Sequence, residues 1–191
     1  SSFGCSDTAT APILVHPQPI AQFIPGILNG CQPLTVPFQD LTIGAVALDW
    51  SFGDGGTLSA GPGNTSHVFN HSSPVPVTFH PQLIATSAFG CTDTTTADID
   101  VYPVISAAFT VNTGGCSPLT VSIANTSNGA NNYLWDMGDG TILVGASPTY
   151  TYVNTTTADQ ARVITLTATS AWGCVSTFTR TVMVYPVPSA A

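Results

Sequence analysis

The side chains that could do chemistry in this chain are five cysteines, four histidines and ten aspartates. The cysteines are widely spread. Cys31 and Cys116 lie 85 residues apart, Cys91 and Cys174 lie 83 apart, and Cys5 precedes Cys91 by 86. None forms a close CxxC pair, so the placement suits disulfides and an oxidising, extracellular setting better than a metal cage. Of the histidines, His67 and His71 have i, i+4 spacing, which aligns two metal ligands on a helix. Their segment has the pattern of a strand and loop, so no metal site is expected there. Asp54 and Asp139 each sit within a GDG triplet. Calcium is the alternative role for them, but calcium takes six or more oxygens, and the aspartates of each unit are few and scattered. No cofactor is expected. Glu and Lys are absent, and neither GxSxG nor HExxH occurs, which leaves hydrolytic and Schiff-base chemistry without its residues. The expectation is a protein that is not an enzyme.

Two copies of one unit must position these residues. The first contains GCQPLTVPF, DWSFGDGG, TSAFGC and DIDVYP; the second contains GCSPLTVSI, LWDMGDGT, TSAWGC and VMVYP. The opening SSFGCSDTATAPILVHP matches only the tail of the unit. A period of this size is that of a small domain, not of a solenoid turn. Residues 18–103 and 104–187 are therefore expected to form two domains. Residues 1–17 should be the last strand of a preceding or neighbouring repeat, and 188–191 the start of the next repeat or a tail. Prolines near 17 and 103 should end strands and stiffen short linkers.

Within each copy the apolar residues alternate with polar ones, as half-buried strands require. Leu34, Val36 and Phe38 match Leu119, Val121 and Ile123; Ile164, Leu166 and Ala168 alternate with threonines. In the last strand, Val182 and Val184 match Ile99 and Val101, and in the opening segment Ile13 and Val15. Pro81 falls inside the strand that matches Ile164, so an irregularity is expected there. Asp54-Gly55 and Asp139-Gly140 are expected as type I′ hairpin turns, which need positive φ at both central residues. Trp50 and Trp135 are expected as core anchors. Abundant Thr, Ser, Asn, Gly and Pro without a long helical pattern indicate an all-β fold.

The formal net charge is −8, with Arg162 and Arg180 the only formal cations. A chain with no basic patch cannot hold a phosphate backbone, so no nucleic-acid partner is expected. No apolar run approaches the roughly 18 residues that span a bilayer, no signal peptide is recognisable, and no membrane insertion is expected.

WSFGDGG at residues 50–56 and WDMGDGT at residues 135–141 resemble the WDFGDG signature of PKD (polycystic kidney disease) domains. PLTV precedes the signature, an aromatic-rich strand follows it (His67 to Phe69; Tyr150 to Tyr152), and TSAFGC or TSAWGC closes the pattern. The departures are Met137 for the usual phenylalanine and Ser51 for an aspartate. The cysteine-bearing variety is similar to repeats in long surface proteins of the Bacteroidetes. The resemblance implies tandem seven-stranded immunoglobulin-like β-sandwiches, with Trp50, Asp54, Gly55, Trp135, Asp139 and Gly140 as signature residues. It implies a spacer, stalk or adhesive repeat at the cell surface.

On such a fold two disulfide patterns compete. Pairing within each unit would join Cys31 to Cys91 and Cys116 to Cys174, but these turns sit at opposite ends of a sandwich, roughly 20 Å apart, whereas a disulfide needs Cα atoms within about 7 Å. With domains end to end, the first turn of one faces the last turn of the next. That favours Cys31 with Cys174, leaving Cys5, Cys91 and Cys116 to bond neighbouring repeats. Asp7-Thr8-Ala9 and Asp93-Thr94-Thr95 resemble the Asp-Ser/Thr-small O-glycosylation acceptor of Bacteroidetes, which makes Thr8 and Thr94 the sugar-bearing candidates. Asn64, Asn70, Asn125 and Asn154 head N-x-S/T triplets and are N-glycosylation candidates. The function expected is an extracellular structural or adhesive repeat of a fibre, filament or stalk whose partners are copies of itself or neighbouring repeats, and glycans. The alternative is a non-catalytic spacer or a glycan- or protein-binding module of a secreted hydrolase. An exposed aromatic row would favour that alternative, and only Phe3, Phe89 and Trp172 stand at matched turn positions.

Overall fold

The computed structural model describes residues 4 and 7–187. Among these the regular structure is entirely β. The first copy holds β1 (Phe23–Pro25), β2 (Asn29–Cys31), β3 (Leu34–Asp40), β4 (Ala47–Ser51), β5 (Thr57–Ala60), β6 (Thr65–Phe69), β7 (Val77–Phe79), β8 (Gln82–Thr86), β9 (Thr92–Thr96) and β10 (Ile99–Tyr102). The second holds β11 (Phe109–Thr110), β12 (Gly114–Cys116), β13 (Leu119–Ser122), β14 (Ala124–Asn125), β15 (Asn132–Asp136), β16 (Ile142–Val144), β17 (Thr149–Tyr152), β18 (Gln160–Thr169) and β19 (Val175–Tyr185).

In the first copy β1-β3-β6 form one sheet and β5-β4-β8-β9 another, with β2 running parallel to β10 and β7 on the far side of β10. In the second, β12-β19-β18-β15-β16 form the large sheet, and β13-β17 and β11-β14 pair separately. Both copies therefore place a short cysteine-bearing strand parallel to the last strand: Cys31 lies opposite Tyr102, and Cys116 opposite Tyr185. The alternation in sequence becomes alternation in burial. Leu34, Val36 and Phe38 are buried between exposed Thr35 and Pro37, and Leu119 and Val121 repeat the pattern. Burying side chains of this kind contributes about 1.5–3 kcal/mol each.

The irregularity at Pro81 is real and extends to the neighbouring strand. Where the second copy has β18 and β19 paired without interruption over ten residues, the first is broken between Phe79 and Gln82 and again between Thr96 and Ile99. Proline has no N–H for the ladder. Across the gap the Pro81 carbonyl accepts the Ala97 N–H at 3.1 Å, and His80 Nδ1 pairs with Asp98 Oδ1 at 2.8 Å.

The described residues fall into two compact units whose limits differ from the sequence copies. Asn29–Leu34, Val68–Thr78 and the chain from Asp100 onward form the second, while Thr35–His67 and Phe79–Ile99 belong to the first. Two of the limits, between Thr78 and Phe79 and between Ile99 and Asp100, fall inside β7 and β10, next to the strand breaks around Pro81. The first core is an aromatic cluster in which Phe23, Phe38 and Phe52 surround Trp50 with ring centroids 4.9–6.0 Å apart. The second is built on Trp135, Met137, Tyr152, Leu166 and Val184, with Phe109 edge-on to Trp135 at 5.0 Å. Residues 7–17, expected as a last strand, carry no strand in this chain. Ile13 and Val15 are 88% and 83% exposed, although their repeat partners Ile99, Val101, Val182 and Val184 are all buried. Cys5 and residues 188–191 lie outside the described residues.

Candidate functional site

Three turns recur in each copy, and each is locked by side chains that the local sequence supplies. The first is the GDG turn. The expected type I′ geometry is not formed, because no non-glycine residue among the described residues has positive φ. The loop is longer than a two-residue hairpin: the N–H of Phe52 donates to Gly56 O and that of Met137 to Thr141 O, both at 2.9 Å. Left-handed backbone falls on the glycines either side of each aspartate, Gly53 and Gly55, and Gly138 and Gly140. The aspartates are thus left at ordinary φ to accept hydrogen bonds. Asp54 Oδ1 accepts the Gly56 N–H at 2.9 Å, and Oδ2 pairs with His67 Nε2 at 2.7 Å. Asp139 uses the same two oxygens for the Thr141 N–H and the Tyr150 hydroxyl.

His67 and Tyr150 occupy one repeat position and do one job, with His67 stacked on Phe52 at 4.0 Å. Burial works against ionisation of Asp54, but the His67 hydrogen bond, the Gly56 N–H and the imidazole's charge outweigh it and lower its pKa. For Asp139, burial is likewise outweighed by Tyr150, by Thr141 and by the charge of Arg162. Burial, reinforced by the charge of Asp139, raises the Tyr152 phenol well above its usual range. Its hydroxyl donates to Met137 O at 2.7 Å.

The second turn carries Cys31 or Cys116. The N–H of the following residue donates to the last strand, Gln32 to Tyr102 O at 3.1 Å and Ser117 to Tyr185 O at 2.9 Å. The side chain of that same residue accepts a backbone N–H, that of His71 for Gln32 Oε1 at 2.7 Å and that of Asn154 for Ser117 Oγ at 2.9 Å. His71 and Asn154 then reach the last strand as well. His71 Nε2 lies 3.0 Å from Val101 O, and Asn154 Nδ2 donates to Val184 O at 2.8 Å. Residue types differ at both positions of this lock, so matching the copies by identity misses it; matching them by position finds it.

The third turn carries Cys91 or Cys174. Ser87 and Ser170, both buried, aim their hydroxyls inward. Ser87 Oγ accepts the N–H groups of Phe89 and Cys91, and Ser170 Oγ those of Trp172 and Cys174, at 3.1–3.3 Å. Cys31 and Cys174 are joined by a disulfide, with Cα atoms 5.7 Å apart. Cys31 belongs to the first sequence copy and Cys174 to the second, and both fall in the second compact unit. Beside the bond, Tyr102 stacks on Trp172 at 6.1 Å and 19°. The within-unit alternatives, Cys31 with Cys91 and Cys116 with Cys174, are not formed, and Cys91 and Cys116 are free thiols.

The glycan candidates fare differently from one another. Thr8 and Thr94 are exposed. The aspartate before Thr94 has a use in the fold: Asp93 Oδ2 accepts the Ala21 N–H at 2.8 Å. In the second copy Ser176 Oγ does the same for Ala107 at 3.1 Å. Asn70 is exposed, while Asn64 and Asn125 accept backbone N–H groups from Asp40 and Ser127. Asn154 must be corrected. It is 4% exposed, and its Nδ2, the atom that would carry sugar, donates to both Ala158 O and Val184 O. Among the described residues no three His, Cys or Asp side chains converge as a metal site, and no helix is long and apolar enough to cross a membrane.

Paired sheets enclosing a tryptophan core, with a short cysteine-bearing strand parallel to the last, define an immunoglobulin-like β-sandwich repeat. No family model matches the chain, and no curated protein matches it. Among solved structures, the PKD1 domain of the Vibrio cholerae metalloprotease PrtV is 30% identical over 43% of this chain and 98% of its own, with a TM-score of 0.37. The PKD1 domain of Vibrio anguillarum Epp is 28% identical over 44% of this chain and 96% of its own, with a TM-score of 0.36. The chain belongs to the PKD-domain family.

Proposed function

We propose that this chain is a run of extracellular PKD repeats serving as a structural or adhesive element of a surface fibre or stalk, with successive repeats stapled by disulfides. The carrying observation is the Cys31–Cys174 bond, which ties a turn of the first copy to a turn of the second and closes a sequence separation of 143 residues. Tension entering at one end of the chain crosses that bond without passing through the linker at Pro103. An oxidising, extracellular compartment is where such a bond persists.

Partners are neighbouring repeats, end to end. The exposed Thr8 and Thr94 would carry sugar, hydrating an array with few charges; an intact mass equal to the bare polypeptide would remove that part of the reading. Electron micrographs of the native material should show filaments or stalks. Isolated particles that bind soluble polysaccharide would overturn the fibre reading in favour of a binding module.

A further inference from the structure

We propose that Cys91 and Cys116 are the two halves of one further disulfide, formed with a neighbouring copy of this chain, and that Phe89 and Tyr185 stack across the join. The inference rests on the reading of Cys31–Cys174 as a staple between repeats. That closed bond shows what each half must contain. One half is a cysteine on a short strand parallel to the last strand, with an aromatic residue opposite it. The other is a serine-locked turn that presents an aromatic residue two positions before its cysteine.

Cys116 has every feature of the first half. It lies opposite Tyr185 in the parallel ladder, as Cys31 lies opposite Tyr102, and its turn is locked through Ser117 and Asn154. Cys91 has every feature of the second, with Ser87 holding the turn as Ser170 holds that of Cys174. Neither half is closed within this chain. Cys116 is exposed and Cys91 partly so, while Phe89 and Tyr185 are 59% and 41% exposed.

The contact of Phe89 with residue 16 supports the same geometry. His16 stacks on Phe89 at 4.0 Å and 12°, and in the repeat His16 stands where Tyr102 and Tyr185 stand, each followed by proline. The turn of Cys91 is thus already engaged by a ring from the repeat position that Tyr102 supplies to Trp172. In a second copy joined end to end, Tyr185 takes the place on Phe89 that His16 holds here, and the turn of Cys116 arrives beside Cys91. The contact is head to tail, so the two halves differ and the chain extends instead of closing into a symmetric pair.

Bond formation needs an oxidant, and a small disulfide such as oxidised glutathione supplies it. The Cys91 thiolate attacks that disulfide, forming a mixed disulfide and releasing one glutathione thiol. The Cys116 thiolate of the neighbour then attacks Cys91 Sγ and releases the second. Two protein thiols are oxidised and one small disulfide is reduced to two thiols.

The test uses the whole chain with Cys5→Ser, incubated concentrated in a glutathione redox mixture and mapped by non-reducing peptide mass spectrometry. Random pairing of two thiol types would put roughly half of the intermolecular bonds between unlike cysteines, a ratio of unlike to like bonds of about one, and a heterologous contact should raise that ratio several-fold. The expected result is a dominant Cys91–Cys116 peptide, with the Cys31–Cys174 peptide in the same map reporting folded chain. Tyr185→Ala should return the unlike share towards random, and Tyr185→Phe should preserve it. Free thiols, or like-with-like bonds at or above the random share, would overturn the pairing and leave the fibre reading standing. An unchanged share in Tyr185→Ala would overturn the stacking. A dominant unlike bond in material that shows no filaments would instead remove the fibre reading alone.

Discussion

Asp54 and Asp139 show how one residue position can be kept while its partner changes. Each carboxylate closes its own turn and then binds a ring from β6 or β17, an imidazole in one copy and a phenol in the other. Both aspartates are held below the ordinary carboxylate value of 3.8. A depressed folded pKa contributes stability that is present above the unfolded value and lost as pH falls through the folded one. Thermal unfolding followed by circular dichroism from pH 5 down to pH 2 should therefore show a falling Tm. The double variant Asp54→Asn, Asp139→Asn should show a shallower fall. Parallel curves would mean that these carboxylates are not the acid-sensitive groups. Ser170 gives a second prediction. Its hydroxyl satisfies two backbone N–H groups in a buried turn, so Ser170→Ala should cost about 1–3 kcal/mol. A urea midpoint within error of the parent would refute that role. The residues at the GDG turns were legible in the sequence, but their conformation was not. A hydrogen bond from Phe52 to Gly56, one residue longer than a tight hairpin allows, moved positive φ onto the glycines and off the aspartates.

At the scale of elements, the two copies are one topology executed with different strictness. Pro81 breaks the first copy's strand and its neighbour, while β18 and β19 run on. The GDG turn must also lie against the strand next to it. A Cβ on Gly138 would meet Val163 O at 2.6 Å and Val163 N at 2.8 Å, whereas one on Gly140 would meet nothing within 4 Å. Both positions have positive φ, so either alanine costs about 1–2 kcal/mol. Gly138→Ala adds the cost of overpacking against backbone, about 1–3 kcal/mol more. Urea denaturation of the two variants should rank Gly138→Ala clearly less stable. Equal losses would mean that the turn does not pack on β18 as described. Strand identities and their buried faces could be read from alternation, because a period of two is a local property. The locks between strands could not, because His71 and Asn154, or Asp93 and Ser176, do equivalent work with unlike side chains.

For the whole molecule, the consequence of the Cys31–Cys174 bond is mechanical and topological. It removes a stretch of 143 residues from the extensible contour, and at roughly 3.5 Å per residue that is about 500 Å. Single-molecule stretching from the chain ends should show the oxidised chain stopping short of the reduced chain by that length. Identical contour lengths with and without reductant would show that the bond is absent in solution. Closing so long a loop should also stabilise the folded chain by about 2–5 kcal/mol, which Cys31→Ser would lose in a denaturation measurement under non-reducing conditions.

That the chain is all-β, that one unit is written twice with a third tail ahead of it, and that Trp50 and Trp135 anchor cores could all be read from the residues alone. Each of these follows from periodicity or from residue type at a repeated position, and both are properties of short stretches. Tertiary structure decided the rest. It set which two of the cysteines lie within bonding distance, because that distance depends on where turns 143 residues apart come to rest. It buried Asn154, whose triplet looks like any exposed one, because its amide is needed by Val184 O. It also left Ile13 and Val15 bare while burying Ile99, Val101, Val182 and Val184. The same strand pattern is a core element or an open face according to whether sheets surround it, and no local pattern carries that information.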